Sequence, residues 1–291
     1  MYTHDFSTNY AYATTLSNQS IQNSHDDIPY NTTNSKNTQN NILLADILAN
    51  DLGNRLNQSG SILEITANLP QVRNVSFAHL LNQTLNTLHG IPQDADIEKR
   101  QVAQNILSYS DFEIIIFIMP NGDIYFDEPY SRQQISTTAN LGFRDYFKGV
   151  ITTKDTFLGD VSASASSGQR QSVIAVPVYS LDDNSTLVGV WAGGLDFDVL
   201  NKGLQSLNLS ANNKRVVYTD NSGQKVADSN INKSAATESF ANLNIFKNVV
   251  NGQSGSIIDT VDNTNMLITY KPVKAFQNTY VVLLMQPILQ Q

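Results

Sequence analysis

The chain of 291 residues contains no cysteine. Disulfides, thiolate metal sites and cysteine nucleophiles are therefore excluded, while the redox compartment stays open. Lysine and arginine number 18 against 26 acids, for a formal net charge of −8. Such a balance offers no basic face to a phosphate backbone, so no nucleic-acid partner is expected. No apolar run approaches the ~20 residues of a membrane span, and no basic-plus-apolar signal peptide opens the sequence. The histidines at 4, 25, 79 and 89 share no metal-ligand spacing. Asp94, Asp96 and Glu98 alternate but lack the glycine and spaced glutamate of a calcium loop, and read as first-turn helix acids. No Gly-x-Ser-x-Gly elbow, His-Glu-x-x-His pair or Walker loop occurs, so neither an enzyme nor a cofactor is indicated.

Charged residues are only 15% of the chain, and amides and hydroxyls solvate the surface instead. That composition fits an exported protein. Asn-x-Ser/Thr sequons at Asn18, Asn31, Asn57, Asn74, Asn82, Asn184, Asn208 and Asn232 point the same way without establishing glycosylation.

Residues 1–40 carry few aliphatics and no periodicity, as in a mobile leader or a frayed helix. From Asn41 the pattern changes. Leu44, Leu48, Leu52, Leu56, Leu63 and Ala67 form the stripe of one long amphipathic helix, broken at Pro70. A second helix carries Phe77, Leu80, Leu81, Leu85 and Leu88 and ends at His89-Gly90. A third, capped by Asp94 or Asp96, carries Ile97, Val102 and Ile106. Residues 41–112 are thus a helical spine with helices that pack on the sheet modules C-terminal to them.

The β region opens at Ile114–Met119, turns at Pro120-Asn121-Gly122-Asp123 and returns through Ile124-Tyr125-Phe126. Asn-Gly between apolar runs is a strong hairpin signal. About a hundred residues later the pattern recurs as Arg215–Thr219, Asp220-Asn221-Ser222-Gly223 and Gln224–Ala227. Each half then reads as a helical insert followed by strands, with Leu195–Leu207 as a connecting helix. The expected architecture is α+β, with two tandem antiparallel-sheet modules at 113–200 and 201–291 behind a long N-terminal helix. The apolar stretch Tyr280–Leu289 is either a strand of the last module or the approach to a membrane helix outside this sequence.

The first module holds most of the candidate chemistry. Its aromatic-cationic segment Phe143–Lys148 precedes a Ser/Gly-rich connection and the strands Ser172–Tyr179 and Thr186–Leu195, and reads as a lid over a small-molecule pocket. Arg144 has the planar donor fork that suits a carboxylate or phosphate, with pairing to Asp145 or Asp155 as the structural alternative. Tyr146 and Phe147, with Phe157 beyond them, suit an apolar ligand body or the core. Ser162, Ser164 and Ser166 alternate, presenting hydroxyls to one side of a strand or to a solvated loop. Asp160 is a candidate acceptor for an amine or a turn cap. Tyr125 and Asp127 follow the first hairpin and reach the pocket floor or serve the structure. Trp191, of opposite strand parity to Gly194, is expected against the long helix.

Taken in order, Leu63–Pro70, Met119–Asp123, Phe143–Phe147, Ala175–Val178, Gly189–Leu195 and Thr219–Gly223 resemble the double Cache sensor domains of prokaryotic chemoreceptors and sensor kinases. The resemblance runs from about Asn41 to the C-terminus. It implies two PAS-like modules on a long helix, an extracellular location, membrane helices outside this chain and a small ligand in the membrane-distal first module. The family's amino-acid-binding members use an Arg-x-aromatic-aromatic segment, which Arg144, Tyr146 and Phe147 match in kind. Ala139 stands where those members have a tyrosine, and Gly194 where they have an acid. Asp160 and Asp196 are the nearest acids to compensate for the missing counter-charge.

The expected function is therefore a ligand-sensing receptor ectodomain whose partner is a carboxylate- or amine-bearing metabolite. The alternative is a structural or adhesive surface module without a ligand. A homodimer along the Leu44–Leu56 stripe is a secondary use of a face expected mainly to cover the protein's own sheets.

Overall fold

A computed structural model describes residues 30–288. The mobile leader expected over 1–40 lies outside these residues up to position 29. A continuous helix α1 occupies Tyr30–Ala67. Leu48, Leu52, Leu56 and Leu63 on its stripe are almost wholly buried. It ends because Leu69 precedes Pro70 and is extended (φ −69°, ψ 137°), the conformation proline imposes on its predecessor. Pro70 then opens the single turn α2 (Pro70–Arg73). The segment from Phe77 divides into a 3-10 turn, Ser76–Leu80, and α3, Leu81–Leu88. α4 spans Ile97–Tyr109.

The chain divides into two compact units. The first comprises residues 50–197 and 273–280; the second comprises the residues up to 49, 198–272 and 281 onward. No helix among the described residues is long and apolar enough to cross a membrane.

The first unit is built on a five-stranded antiparallel sheet of order β2-β1-β7-β6-β3. Its strands are β1 (Phe112–Ile118), β2 (Ile124–Glu128), β3 (Phe157–Leu158), β6 (Val173–Tyr179) and β7 (Leu187–Leu195). Between β3 and β6 lies a small hairpin of β4 (Ser162–Ala163) and β5 (Arg170–Gln171). The short helix α5 (Tyr130–Gln134) follows β2, and α6 (Asp145–Thr153) precedes β3. One sheet face, through Ile114, Ile116, Ile118, Val190 and Ala192, packs with Tyr146, Phe147 and Val150 of α6. The other face carries an aromatic cluster of Phe117, Tyr125, Phe126 and Trp191, with ring centroids 5.3–6.1 Å apart. The indole Nε1–H of Trp191 donates to Thr66 Oγ1 of α1 at 3.0 Å, which is the contact its strand parity predicts.

The second unit holds another five-stranded sheet, of order β10-β11-β12-β8-β9. β8 (Arg215–Thr219) and β9 (Lys225–Asp228) follow helix α7 (Phe197–Ser206). β10 (Gly255–Val261), β11 (Thr264–Ala275) and β12 (Asn278–Pro287) follow the turn α8 (Phe246–Val249). Residues 273–280 of the β11–β12 hairpin belong to the first unit.

Both sheets repeat one device. β1 pairs with β2 as Ile116↔Asp127, Phe117↔Phe126 and then Ile118↔Ile124, leaving Tyr125 as an extra residue. β8 pairs with β9 as Val217↔Asp228, Tyr218↔Ala227 and Thr219↔Lys225, leaving Val226 extra. A bulge of this kind shifts side-chain parity along its strand. In the first unit it brings Ile124 and Asp127 to the α6 side of the sheet and sends Tyr125 to the other.

Candidate functional site

On the α6 side of the first sheet, Arg144, Asp127, Tyr146, Ser162, Ser164, Ser166 and Gln171 converge on one cavity over an apolar floor that includes Ile114, Ile116 and Ile124. Its volume is about 10 Å³, roughly the space of a single water.

Arg144 occupies the N-cap position of α6. Neither Asp145 nor Asp155 takes its side chain. Nη2 donates to the Ala163 carbonyl at 2.8 Å and Nη1 to Ser162 Oγ at 3.4 Å, while the guanidinium lies 5.0 Å from the centre of the Phe143 ring. Arg144 thereby fastens the β4–β5 hairpin over the cavity. Thr137 holds the same hairpin, since its N–H and hydroxyl both donate to the Ala165 carbonyl at 2.9 Å. The covering element is thus this hairpin. The expected lid, Phe143–Lys148, instead turns into α6, whose Tyr146 and Phe147 are buried.

Asp127 is 2% exposed, and its Oδ1 is buried with no hydrogen-bond partner. Burial pushes its carboxyl up to about 7, against the pull of Arg100 and Arg132. Gln171 is 5% exposed, and its Oε1 is likewise buried and unpartnered. Tyr146 feels both charged residues. Burial raises its phenol first, Arg144 acts to lower it and Asp127 to raise it.

The other candidate residues lie elsewhere. The bulge carries Tyr125 away from the cavity, where its hydroxyl donates to Asp96 Oδ2 at 2.7 Å. Asp96 does precede α4, but its side chain makes no capping bond. Its carboxylate receives Tyr125 and the Lys99 ammonium, 3.2 Å away. Burial lowers Lys99 to about 8, partly opposed by Asp96, and its Nζ sits 4.1 and 4.3 Å from the ring centres of Phe117 and Tyr125. Phe147 and Phe157 pack in the apolar cluster rather than on the cavity wall. Asp160 is exposed; its Oδ1 accepts from Asn278 Nδ2 at 3.0 Å, and its N–H donates to Asp145 Oδ2 at 2.7 Å. Asp196 lies beyond the end of β7, where its N–H donates to the Asp111 carbonyl at 2.8 Å. Neither acid lines the cavity.

Gln171 carried no sequence signal, because a polar residue before an apolar run reads as a solvated strand end. Its place explains Gly194. A Cβ on Gly194 would stand 2.6 Å from Ile114 Cγ2 and 2.7 Å from Gln171 Oε1. A side chain at 194 therefore requires Ile114 and the end of the Gln171 side chain to shift. Gly194→Asp is expected to cost about 1–3 kcal/mol in urea unfolding, and adding Gln171→Ala should recover part of the loss. Equal destabilisation with and without the second change would contradict this account.

A long helix with two bulged antiparallel sheets, the first closed over a polar cavity, defines a PAS-like sensor architecture. The chain belongs to the Cache domain family, whose double Cache model (dCache_1) matches residues 30–289. Among solved structures it is similar to the ligand-binding domain of the Pseudomonas fluorescens chemoreceptor CtaA, in complex with L-isoleucine. That match has 13% identity, covers 88% of this chain and 94% of the other, and has a TM-score of 0.60. It is similar also to a methyl-accepting chemotaxis protein X (14% identity, 88% and 100% covered, TM-score 0.62). The ligand-binding domain of Campylobacter jejuni Tlp3, in complex with 4-methylisoleucine, matches at 12% identity (92% and 100% covered, TM-score 0.57). At these identities the likeness is one of fold. No curated protein sequence matches the chain.

Proposed function

We propose that the chain is the extracellular ligand-sensing part of a membrane-anchored receptor for chemotaxis or signal transduction, and that its first unit binds a small polar organic molecule. The supporting observation is the cavity itself, where a guanidinium and a buried carboxylate meet the serine hydroxyls of a latched hairpin. A ligand carboxylate suits the Arg144 fork and would compete with Ala163 and Ser162 for it. Because the cavity has room for little more than one water, the hairpin has to open for binding. Ligand then acts through its different affinities for the latched and open states.

Beside the hairpin, Gln277 Nε2 donates to the Leu158 carbonyl at 2.6 Å, and Asn278 holds Asp160. β12 begins at Asn278 and, like α1, contributes residues to both units. These two elements would carry the change toward membrane helices outside this chain. Dimerisation along α1 would use Leu43 and Ile47, which are 57% and 41% exposed, because the Leu48–Leu56 stripe is buried.

The test is a thermal-melting titration of the chain with a metabolite panel. A member of the panel should raise the melting temperature, and Arg144→Ala should remove that shift. An unaltered shift would take Arg144 out of the site. No response across the panel would favour a ligand-free structural module.

A further inference from the structure

Resting on the ligand-sensing reading above, we infer that Gln277 and Asn278, at the tip of the β11–β12 hairpin, are positioning residues that grip the root of the covering hairpin, and that releasing either hairpin loosens the other. β3 is the outer strand of the first sheet, and an outer strand leaves backbone groups unpaired. Those of Leu158 are taken by one side-chain amide. The Leu158 N–H donates to Gln277 Oε1 at 3.1 Å, and Gln277 Nε2 donates to the Leu158 carbonyl at 2.6 Å. Asn278, 6% exposed, donates from Nδ2 to the same carbonyl at 3.3 Å and to Asp160 Oδ1 at 3.0 Å.

The tip has its own seat on α1. Phe276 takes φ +55°, a conformation that bulky side chains rarely adopt and that two-residue hairpin turns usually give to asparagine or glycine. Its ring lies over Gly60, where a Cβ would stand 2.2 Å from Cζ. At Gly53, two turns earlier on α1, a Cβ would meet Val273 Cγ1 at 3.4 Å. Glycine is a poor helix former, and these two leave room for the hairpin.

The gripped segment leads directly into the covering hairpin. Asp160 stands two residues before Ser162, where β4 begins. Its N–H donates to Asp145 Oδ2 at 2.7 Å, and Asp145 follows Arg144 in the chain. Beyond Val161 the side chains that hold the hairpin down are those of Arg144 and Thr137. With Val161 alone between them, a displaced Ser162 pulls on Asp160 and, through it, on Asn278. Gln277 is exposed and joins neutral groups, bonds that are individually weak, so the grip yields before the strand pairing does. β11 and β12 run on from the tip into the second sheet. Such coupling is reciprocal: a seated tip favours the latched hairpin, and an open hairpin favours a released tip.

The experiment is hydrogen–deuterium exchange on the full chain without ligand. Arg144→Ala, which unlatches the covering hairpin, should speed amide exchange over residues 273–280 by about fivefold or more. Gln277→Ala should speed exchange over residues 159–171 to a similar extent. Once Gln277 is gone, Arg144→Ala should add less than about twofold at the tip, because the two changes break one connection. Gln277→Glu keeps the length and the acceptor but sets a carboxylate against the Leu158 carbonyl, so it should behave as the alanine variant. Wild-type exchange in Gln277→Glu would mean that Gln277 only fills space, and would overturn the inference. If Arg144→Ala does not fold, Thr137→Val, which removes the hairpin's other side-chain bond, unlatches it instead. Faster exchange confined to each variant's own hairpin would also overturn the inference. No ligand enters the experiment, so its outcome is independent of the melting titration that judges the sensing reading.

Discussion

Asp127→Asn makes the protein more stable at pH 8 and removes a decline in stability that the wild type shows between pH 4 and 7. The folded carboxyl is held at about 7, above its ordinary 3.8, because burial disfavours the charged form. Between these values the native chain binds a proton that the unfolded chain has released. Stability is therefore fully present below about pH 4 and is lost as pH rises through 7. The three-unit span sets an upper limit of about 4 kcal/mol on the loss, less whatever hydrogen bonding the amide itself lacks. Urea unfolding of both proteins across pH 4–8 measures it. Parallel curves would mean that Asp127 titrates normally.

Arg100→Met is expected to cost about 3–5 kcal/mol. Arg100 is 2% exposed and joins α4 to β2 and to the loop before α4. It bonds Glu128, Gln133 and the carbonyls of Ile91, Pro92 and Ala95. Its removal leaves Glu128, itself 3% exposed, with Gln104 as its remaining side-chain partner. Arg100→Met combined with Glu128→Met should cost clearly less than the first change alone, because the uncompensated buried charge is gone. A double variant as unstable as the sum of the singles would show that the pair is not coupled.

Much of the fold was legible because local signals agreed with one another. The leucine stripe and Pro70 mark α1 and its end. Two Asn- and Gly-containing turns mark hairpins whose repetition announces two sheets, and the Trp191 parity points it at α1. The cavity was only half legible. Arg144, Ser162 and Ser164 sit in one local stretch, and the geometry brings them together. Tyr125 and Asp127 share strand parity in the sequence, and only the bulge, a backbone feature without a side-chain signature here, sends them to opposite faces. Asp160 and Asp196 are near the cavity along the chain but are directed elsewhere by Asn278 and by the end of β7. Gln171 matters through Gly194, a relation between two strands that no single segment displays.

Ligand sensing by the first unit is tested most directly by a crystal structure of the chain grown with the metabolite that raises its melting temperature most. That metabolite is expected inside the first unit, bonded to Arg144, with the β4–β5 hairpin shifted from its contacts at Ser162 and Ala163. A ligand bound outside the first unit, or inside it away from Arg144, would contradict that expectation.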